Sequence, residues 1–322
     1  MSMDSIFKPL HVFLVALAGA ALLPLFANKY ILFVGNMAFV YIILAIGLNL
    51  LLGYTGLLAF VNAALFGIGA YGTAILRTNF DVPYGIALPA GALMAMTIGI
   101  IAALPALRLT GLYLALASIS FAQFTWWVFI HWDDVTGGPT GVRVSPVDYF
   151  VSGHWEFWHY YVSLAITVAI ILITTNILRS RIGRSFIAVR ESEVAAESLA
   201  IDLTKVKTTA YGMSALYAGI AGGLFAPLLT LVVPESYDLF QVIIQFAMVV
   251  VGGLGSIAGS IIGAVGLIWV QEVLRATKDL QEIAFGGMIL LTVLFLPSGA
   301  AGLIRRFLPS WREPLRRKDD HV

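Results

Sequence analysis

Apolar runs about 20 residues long, the length that crosses a bilayer core, recur along this chain and leave little choice of fold. They cover residues 10–27, 30–52, 57–76, 85–104, 111–130, 160–178, 208–229, 240–251, 259–273 and 283–296. A bilayer interior has no water for backbone N–H and C=O groups, so runs of this kind must be helices. The expectation is an all-α, polytopic membrane helix bundle of about ten transmembrane helices, forming a single domain over residues 1–322. The eighth and ninth runs are short, with glycines between them and through the ninth, which predicts broken or incompletely crossing helices. With 60% hydrophobic and 11% charged residues, the chain has too little charge to cover a soluble globule of 322 residues.

One stretch interrupts the apolar pattern. Residues 179–207 read RSRIGRSFIAVRESEVAAESLAIDLTKVK and carry ten charges. At about 3 kcal/mol per charge at a bilayer centre, immersing them would cost on the order of 30 kcal/mol, so the stretch lies in water. Ser192 is placed to cap a short helix, with Glu193 and Glu197 in its first turns, where a helix N-terminus favours anions. Val194, Ala195, Ser198 and Leu199 share one face of that helix. Two readings stand at this point: a docking surface for a partner, or a solvated connector between two spans.

Basic residues set the orientation. With both termini cytoplasmic, Lys8, Arg108, six basic residues of the 179–207 stretch and six of the 305–322 tail lie inside, and five lie outside. The long connection 131–159 is then external. It opens on Asp133, Asp134, Thr136, Gly137 and Gly138, a tight turn beside two carboxylates, and ends in aromatics suited to a membrane interface. That turn either gates the mouth, receives a binding protein, or merely closes a helix pair.

Several classes of chemistry are excluded. The chain has no cysteine, so it has no disulfide, thiolate metal site or cysteine nucleophile. Its five histidines show no metal-ligand spacing, and no phosphate-cradling Gly-x-x-x-x-Gly-Lys run exists. A net charge of +1 gives no reason to expect nucleic acid, and lipid is the expected surroundings. No Asp, Glu, Lys or Arg sits mid-span, whereas ion-coupled carriers usually need such groups. Energy supplied by a separate subunit fits better than a self-sufficient channel or secondary carrier. A membrane-embedded enzyme would need clustered carboxylates, and only Asp133 with Asp134 approaches that.

Candidate pathway residues are the polar groups set among apolar ones. Gly53 and Gly56 weaken the helix where the second run turns toward the third. Asn49, Tyr54, Thr55 and Asn62 flank that turn, and Gln123 and Gln245 lie in later runs. Each either lines a solute pathway or bonds one helix to another. The spacings Gly219-x-x-x-Gly223 and Gly255-x-x-x-Gly259-x-x-x-Gly263 predict close backbone packing, with a seam to a partner subunit as the sharper alternative.

These motifs resemble a known family. The 179–207 stretch, with Arg190-Glu191, Ala195-Ala196-Glu197, Ile201-Asp202 and Lys207, is similar to the "EAA" coupling loop of bacterial ABC importer permeases of the branched-chain amino acid type, LivM branch. The run from Gly47 to Gly72, the start of the fifth run at Arg108, the Thr136-Gly137-Gly138-Pro139 turn and the exit at Pro297 match as well. The resemblance implies a non-enzymatic transport subunit of the bacterial inner membrane that binds no cofactor. Its expected partners are a sister permease, two cytoplasmic ABC ATPases and a periplasmic solute-binding protein. Arg190, Glu191, Glu193, Ala195, Ala196, Glu197, Leu199 and Asp202 would then couple to the ATPase. Branched-chain amino acids are the leading solutes, with urea, short amides and aromatic acids behind.

The chain also departs from the family. Leu57, Ala59 and Asn62 replace the usual glutamine, serine and histidine, a drier lining that points toward an apolar or aromatic solute. Ala200 replaces a glycine, and alanine continues a helix where glycine would end it.

Overall fold

Helices form where the apolar runs predict them. The computed structural model describes residues 17–24, 27–106, 109, 111–144, 147, 155–274, 278–295 and 299–302. Helical residues 17–24 precede α1 (Lys29–Asn49), which passes into a π-helical turn, Leu50–Tyr54. There follow α2 (Asn62–Phe80), α3 (Tyr84–Ala106), α4 (Gly111–His131) and the short α5 (Asp133–Thr136). After a 3-10 turn, Gly138–Thr140, come β1 (Val142–Arg143), α6 (Trp155–Arg179), α7 (Arg181–Glu191), α8 (Glu193–Ser198) and α9 (Leu203–Leu229). The chain closes with β2 (Leu231–Val232), a second 3-10 turn Pro234–Tyr237, α10 (Leu239–Gly252), α11 (Ile257–Val273) and α12 (Lys278–Phe295).

The fold is thus an all-α bundle. Six stretches among the described residues are long and apolar enough to cross a membrane: Lys29–Tyr54, Tyr84–Leu104, Gly111–His131, Trp155–Arg179, Leu203–Leu229 and Pro234–Gly252. α2 is not one of them; its 19 residues include three glycines, two asparagines, two threonines and an arginine. α11 is apolar but only 17 residues long. The basic tail 305–322, Arg108 and half of the first apolar run lie outside the described residues. Nothing in the sequence periodicity predicts the one antiparallel strand pair, Val142 opposite Val232 and Arg143 opposite Leu231.

α9 and α1 are the most enclosed of the six spans. α9 packs on α2, α3 and α1, and α1 packs on α6 and α11. Glycine makes the central contact possible. A Cβ at Gly222 would meet the Phe66 carbonyl and the Ala70 amide, and one at Gly69 would meet the backbone of Gly219. Gly219 in turn faces Ala92 and Ala95 of α3. Three backbones approach within touching distance along this seam, which suits dispersion-driven association in lipid. The Gly219-x-x-x-Gly223 spacing is therefore a core-packing device inside this chain.

Side-chain caps start the helices at the charged end of the bundle. Ser180 Oγ accepts from the Ile182 N–H, Ser192 Oγ from Ala195 and an Asp202 oxygen from Lys205. The Lys205 backbone N–H, and then its side chain, hold the Asp202 carboxyl below its usual range. That contribution is present above the ordinary carboxylate pKa and disappears as pH falls through the lowered one.

Ser192, in an extended conformation (φ −166°, ψ 116°), closes α7 and opens α8, so the two short helices form an elbow. α8 does not continue through Ala200. Ala200 adopts φ +59°, its N–H donates to Glu197 O (2.9 Å), and Ile201 N–H donates to Ala196 O (3.1 Å). This is the paired bonding of a Schellman stop, normally built on glycine. The buried Ala196 and the neighbouring caps fix the turn, so alanine adopts a conformation that it disfavours.

Three substitutions read these features in thermal unfolding of the detergent-purified protein. Gly222→Ala is expected to destabilise by about 1–3 kcal/mol through overpacking. Gly266→Ala, where nothing lies within 4 Å of the added carbon, is expected to be neutral or slightly stabilising. Ala200→Gly is expected to stabilise by about 1 kcal/mol by relieving the left-handed alanine; a lower melting temperature would show that the turn is not strained.

Candidate functional site: an elbow hooked to a broken helix

The elbow has two unlike faces. Inward, Phe186 and Val189 of α7 and Ala196 of α8 are buried. Gly183 lies so close to the end of α6 that a Cβ would meet the Leu178 backbone. Lys207 Nζ, almost wholly buried at the start of α9, donates to Glu193 Oε2 at 2.8 Å. Outward, Val194 is 79% and Leu199 73% exposed, and Ala195, Glu197 and Ser198 are exposed beside them. Two apolar side chains thus stand in solvent on a short helix whose other side is fixed.

A single guanidinium joins this elbow to the first span. The π-helical turn at Leu50–Tyr54 shifts the hydrogen bonding: Thr55 N–H donates to Leu50 O (3.1 Å), and Leu57 N–H reaches back to Leu51 O (2.8 Å). Thr55 Oγ1 donates to the same Leu50 carbonyl. The Gly53 carbonyl, at the end of the turn, accepts from Arg190 Nη1 at 2.9 Å. Helix ends leave carbonyls without intrahelical partners, and a charged donor satisfies this one with about 1.5–3 kcal/mol. The other edge of Arg190 is held by Glu191 Oε1, 2.7 Å from Nη2 and 3.3 Å from Nε. Gly56, at φ +74°, lies flat against the Arg190 side chain, and a Cβ there would crowd it.

Asn49 fastens the same break to the α10–α11 turn. Its Nδ2 donates to Ser256 O (2.9 Å) and Ser260 Oγ (2.7 Å), and its Oδ1 accepts from Gly255 N–H (2.9 Å). Ser256 Oγ meanwhile caps α11 through Gly259 N–H. Gly53 must be glycine here, because a Cβ would fall on Asn49 Oδ1 and Gly255 N. Elbow, first span and α10–α11 turn therefore meet within one set of hydrogen bonds.

The predicted site residues are distributed among three places. Arg190 and Glu191 form the hook, Glu193 is held by Lys207, Asp202 caps α9, and Ala195, Glu197 and Leu199 face outward. Of the pathway candidates, Asn62 bonds helix to helix, accepting from Ser214 Oγ (3.0 Å) and donating to Leu44 O (3.3 Å). Tyr54 and Thr55 are buried at the break, and Gln123 is exposed on α4. Gln245 is 1% exposed, with neither polar atom of its side chain hydrogen-bonded. At the opposite end of the bundle, Thr136 Oγ1 donates to Phe129 O and Trp132 O. Gly137 and Gly138 turn at positive φ, and Asp133 and Asp134 are exposed. Sequence reasoning missed Ser256 and Ser260 as partners of Asn49, although a serine directly after a Gly-Leu-Gly turn is a legible cap signal.

The comparisons with known proteins agree with this architecture. Residues 30–295 match the family described as branched-chain amino acid transport system / permease component. The high-affinity branched-chain amino acid transport system permease protein LivM of Escherichia coli (strain K12) is 30% identical over 320 residues, covering 91% of this chain and 75% of the relative. LivM of Salmonella typhimurium is similar to the same extent. The LivH permease protein of Escherichia coli is 23% identical over 288 residues, covering 81% of this chain and 91% of that protein. No solved structure matches the chain. A family match across most of its length, together with 30% identity to LivM proteins, means that the chain belongs to the permease components of branched-chain amino acid transport systems.

Proposed function

We propose that this chain is the permease subunit of an ATP-driven ABC importer that carries branched-chain amino acids across the bacterial inner membrane. It pairs with a sister permease of the LivH kind and performs no covalent chemistry itself. In the full chain about ten helices cross the bilayer, both termini are cytoplasmic, and the elbow at 181–198 faces the cytoplasm. Two ABC ATPases dock there, while a solute-binding protein approaches the opposite end near Asp133, Thr136, Gly137 and Gly138.

The observation that carries this reading is the exposure of Val194 (79%) and Leu199 (73%) on an elbow anchored through its other face. Two apolar side chains this exposed, side by side on a charged elbow, suit burial against a partner protein. The hook at Arg190 then gives the contact a consequence. Movement of the elbow pulls on the Gly53 carbonyl, and Asn49 passes that pull to the α10–α11 turn. The permease becomes a two-state element biased by nucleotide on one side and by loaded binding protein on the other.

Two experiments separate docking from transmission. The double variant Val194→Glu, Leu199→Glu is expected to abolish co-purification of the ATPase at unchanged permease yield; normal co-purification would remove this face from the interface. Arg190→Ala is expected to retain the ATPase and lower ATP-driven uptake in proteoliposomes by about tenfold or more, the equivalent of one lost charge-assisted hydrogen bond. Uptake at the wild-type rate would show that the hook transmits nothing.

A further inference from the structure

Buried polar atoms in native proteins nearly always have a partner. Eight such side-chain atoms among the described residues have none, and four of them lie on three neighbouring elements: the Tyr71 hydroxyl on α2, the Tyr237 hydroxyl on the second 3-10 turn, and Gln245 Nε2 and Oε1 on α10. All three side chains are at most 2% exposed. They belong to neighbouring elements, since α10 packs against both α2 and that 3-10 turn. The two tyrosine rings lie 6.0 Å apart. Gln245 sits one helical turn from Gln241, whose amide is paired with the Tyr41 hydroxyl at 3.3 Å. Along α10 the polar stripe of Gln241 and Gln245 is thus paired with Tyr41 at one position and unpaired one turn on.

Aromatic rings wall this stripe. Tyr71 stacks on Phe129 with centroids 4.5 Å apart, and Tyr237 meets Phe66 edge-on at 5.2 Å. Rings of this kind suit an apolar side chain, and their faces attract a cation. The orphaned groups supply the complement. An amide oxygen and two hydroxyl lone pairs accept from an ammonium, while an amide NH2 and two hydroxyl protons donate to a carboxylate. Three uncharged side chains that together donate and accept suit a solute that carries both charges.

We infer that Tyr71, Tyr237 and Gln245 form an intramembrane subsite for the head group of a zwitterionic amino acid with an apolar side chain. The inference rests on the importer reading above and assigns to this chain a direct hold on the solute. In the structure the four polar atoms of these side chains have no hydrogen-bond partner. An empty polar site in an apolar bundle is unstable, and that favours either occupation or release over a stable empty state. The exposed Gln123 is not part of it.

The test uses the complete wild-type complex and three conservative variants, Tyr71→Phe, Tyr237→Phe and Gln245→Leu. Radiolabelled L-leucine binding to the purified permease pair, without the binding protein, is measured by scintillation proximity, beside thermal unfolding. The expected result is retention of L-leucine by wild type and a loss of about tenfold in affinity in each variant. Melting temperatures should be equal or higher, because an unsatisfied buried group has been removed. Variants that bind L-leucine like wild type, or that bind weakly only because they melt earlier, would overturn the subsite. A wild-type complex that imports L-leucine while its permease pair retains none would overturn the subsite and leave the importer reading standing. A wild-type complex that imports no branched-chain amino acid at all would remove both.

Discussion

A helix that stops within an apolar bundle leaves carbonyls with nowhere to turn, and the structure is arranged around one such carbonyl. Near Gly53 the first span unwinds through a π turn and the Gly53 carbonyl is answered by Arg190, a residue 137 positions away on a water-facing elbow. The alternative, an unpaired carbonyl at a buried helix end, costs about 1–3 kcal/mol. The elbow is therefore held in place by a need that arises in the span. Asn49 adds the α10–α11 turn to the same junction through three hydrogen bonds. Each partner is needed because the others leave something unsatisfied.

Glycine recurs wherever this logic demands close approach, but for two different reasons. Gly69, Gly219 and Gly222 are small so that α2 and α9 touch backbone to backbone. Gly53 is small so that Asn49 and Gly255 can bond, while Gly56 and Gly255 adopt positive φ to turn the chain. Ala200 shows the limit of such rules. It takes the left-handed conformation without being glycine, because the Ala196 and Glu197 carbonyls still require donors at the end of α8.

The apolar runs and the charged interruption were legible because both follow from transfer energies that depend on residue type alone. The caps at Ser192 and the break near Gly53 were legible for the same local reason. Pairing was not. Asn49 and Asn62 read alike in the sequence, yet one clamps the α10–α11 turn and the other bonds α2 to α1 and α9. An amide announces that it needs partners without naming them, since its partners lie up to 211 residues away. Glu193 reads as a surface charge and is held by a lysine that is itself buried. The strand pair between Val142 and Val232 has no periodic signal because two residues are too few to show one.

That small ribbon has a mechanical meaning when set beside α9. The helix begins at the Asp202 cap, near the Lys207–Glu193 pair, and its 27 residues measure about 40 Å. Just past its far end, the Thr230 carbonyl accepts from Val144 N–H at 2.8 Å, and the ribbon begins. One stiff rod is thus pinned at its foot to the elbow and at its head to the segment that follows the Gly137-Gly138 turn. A tilt at the foot would carry to the head through one helix, so that the two ends of the bundle share a lever.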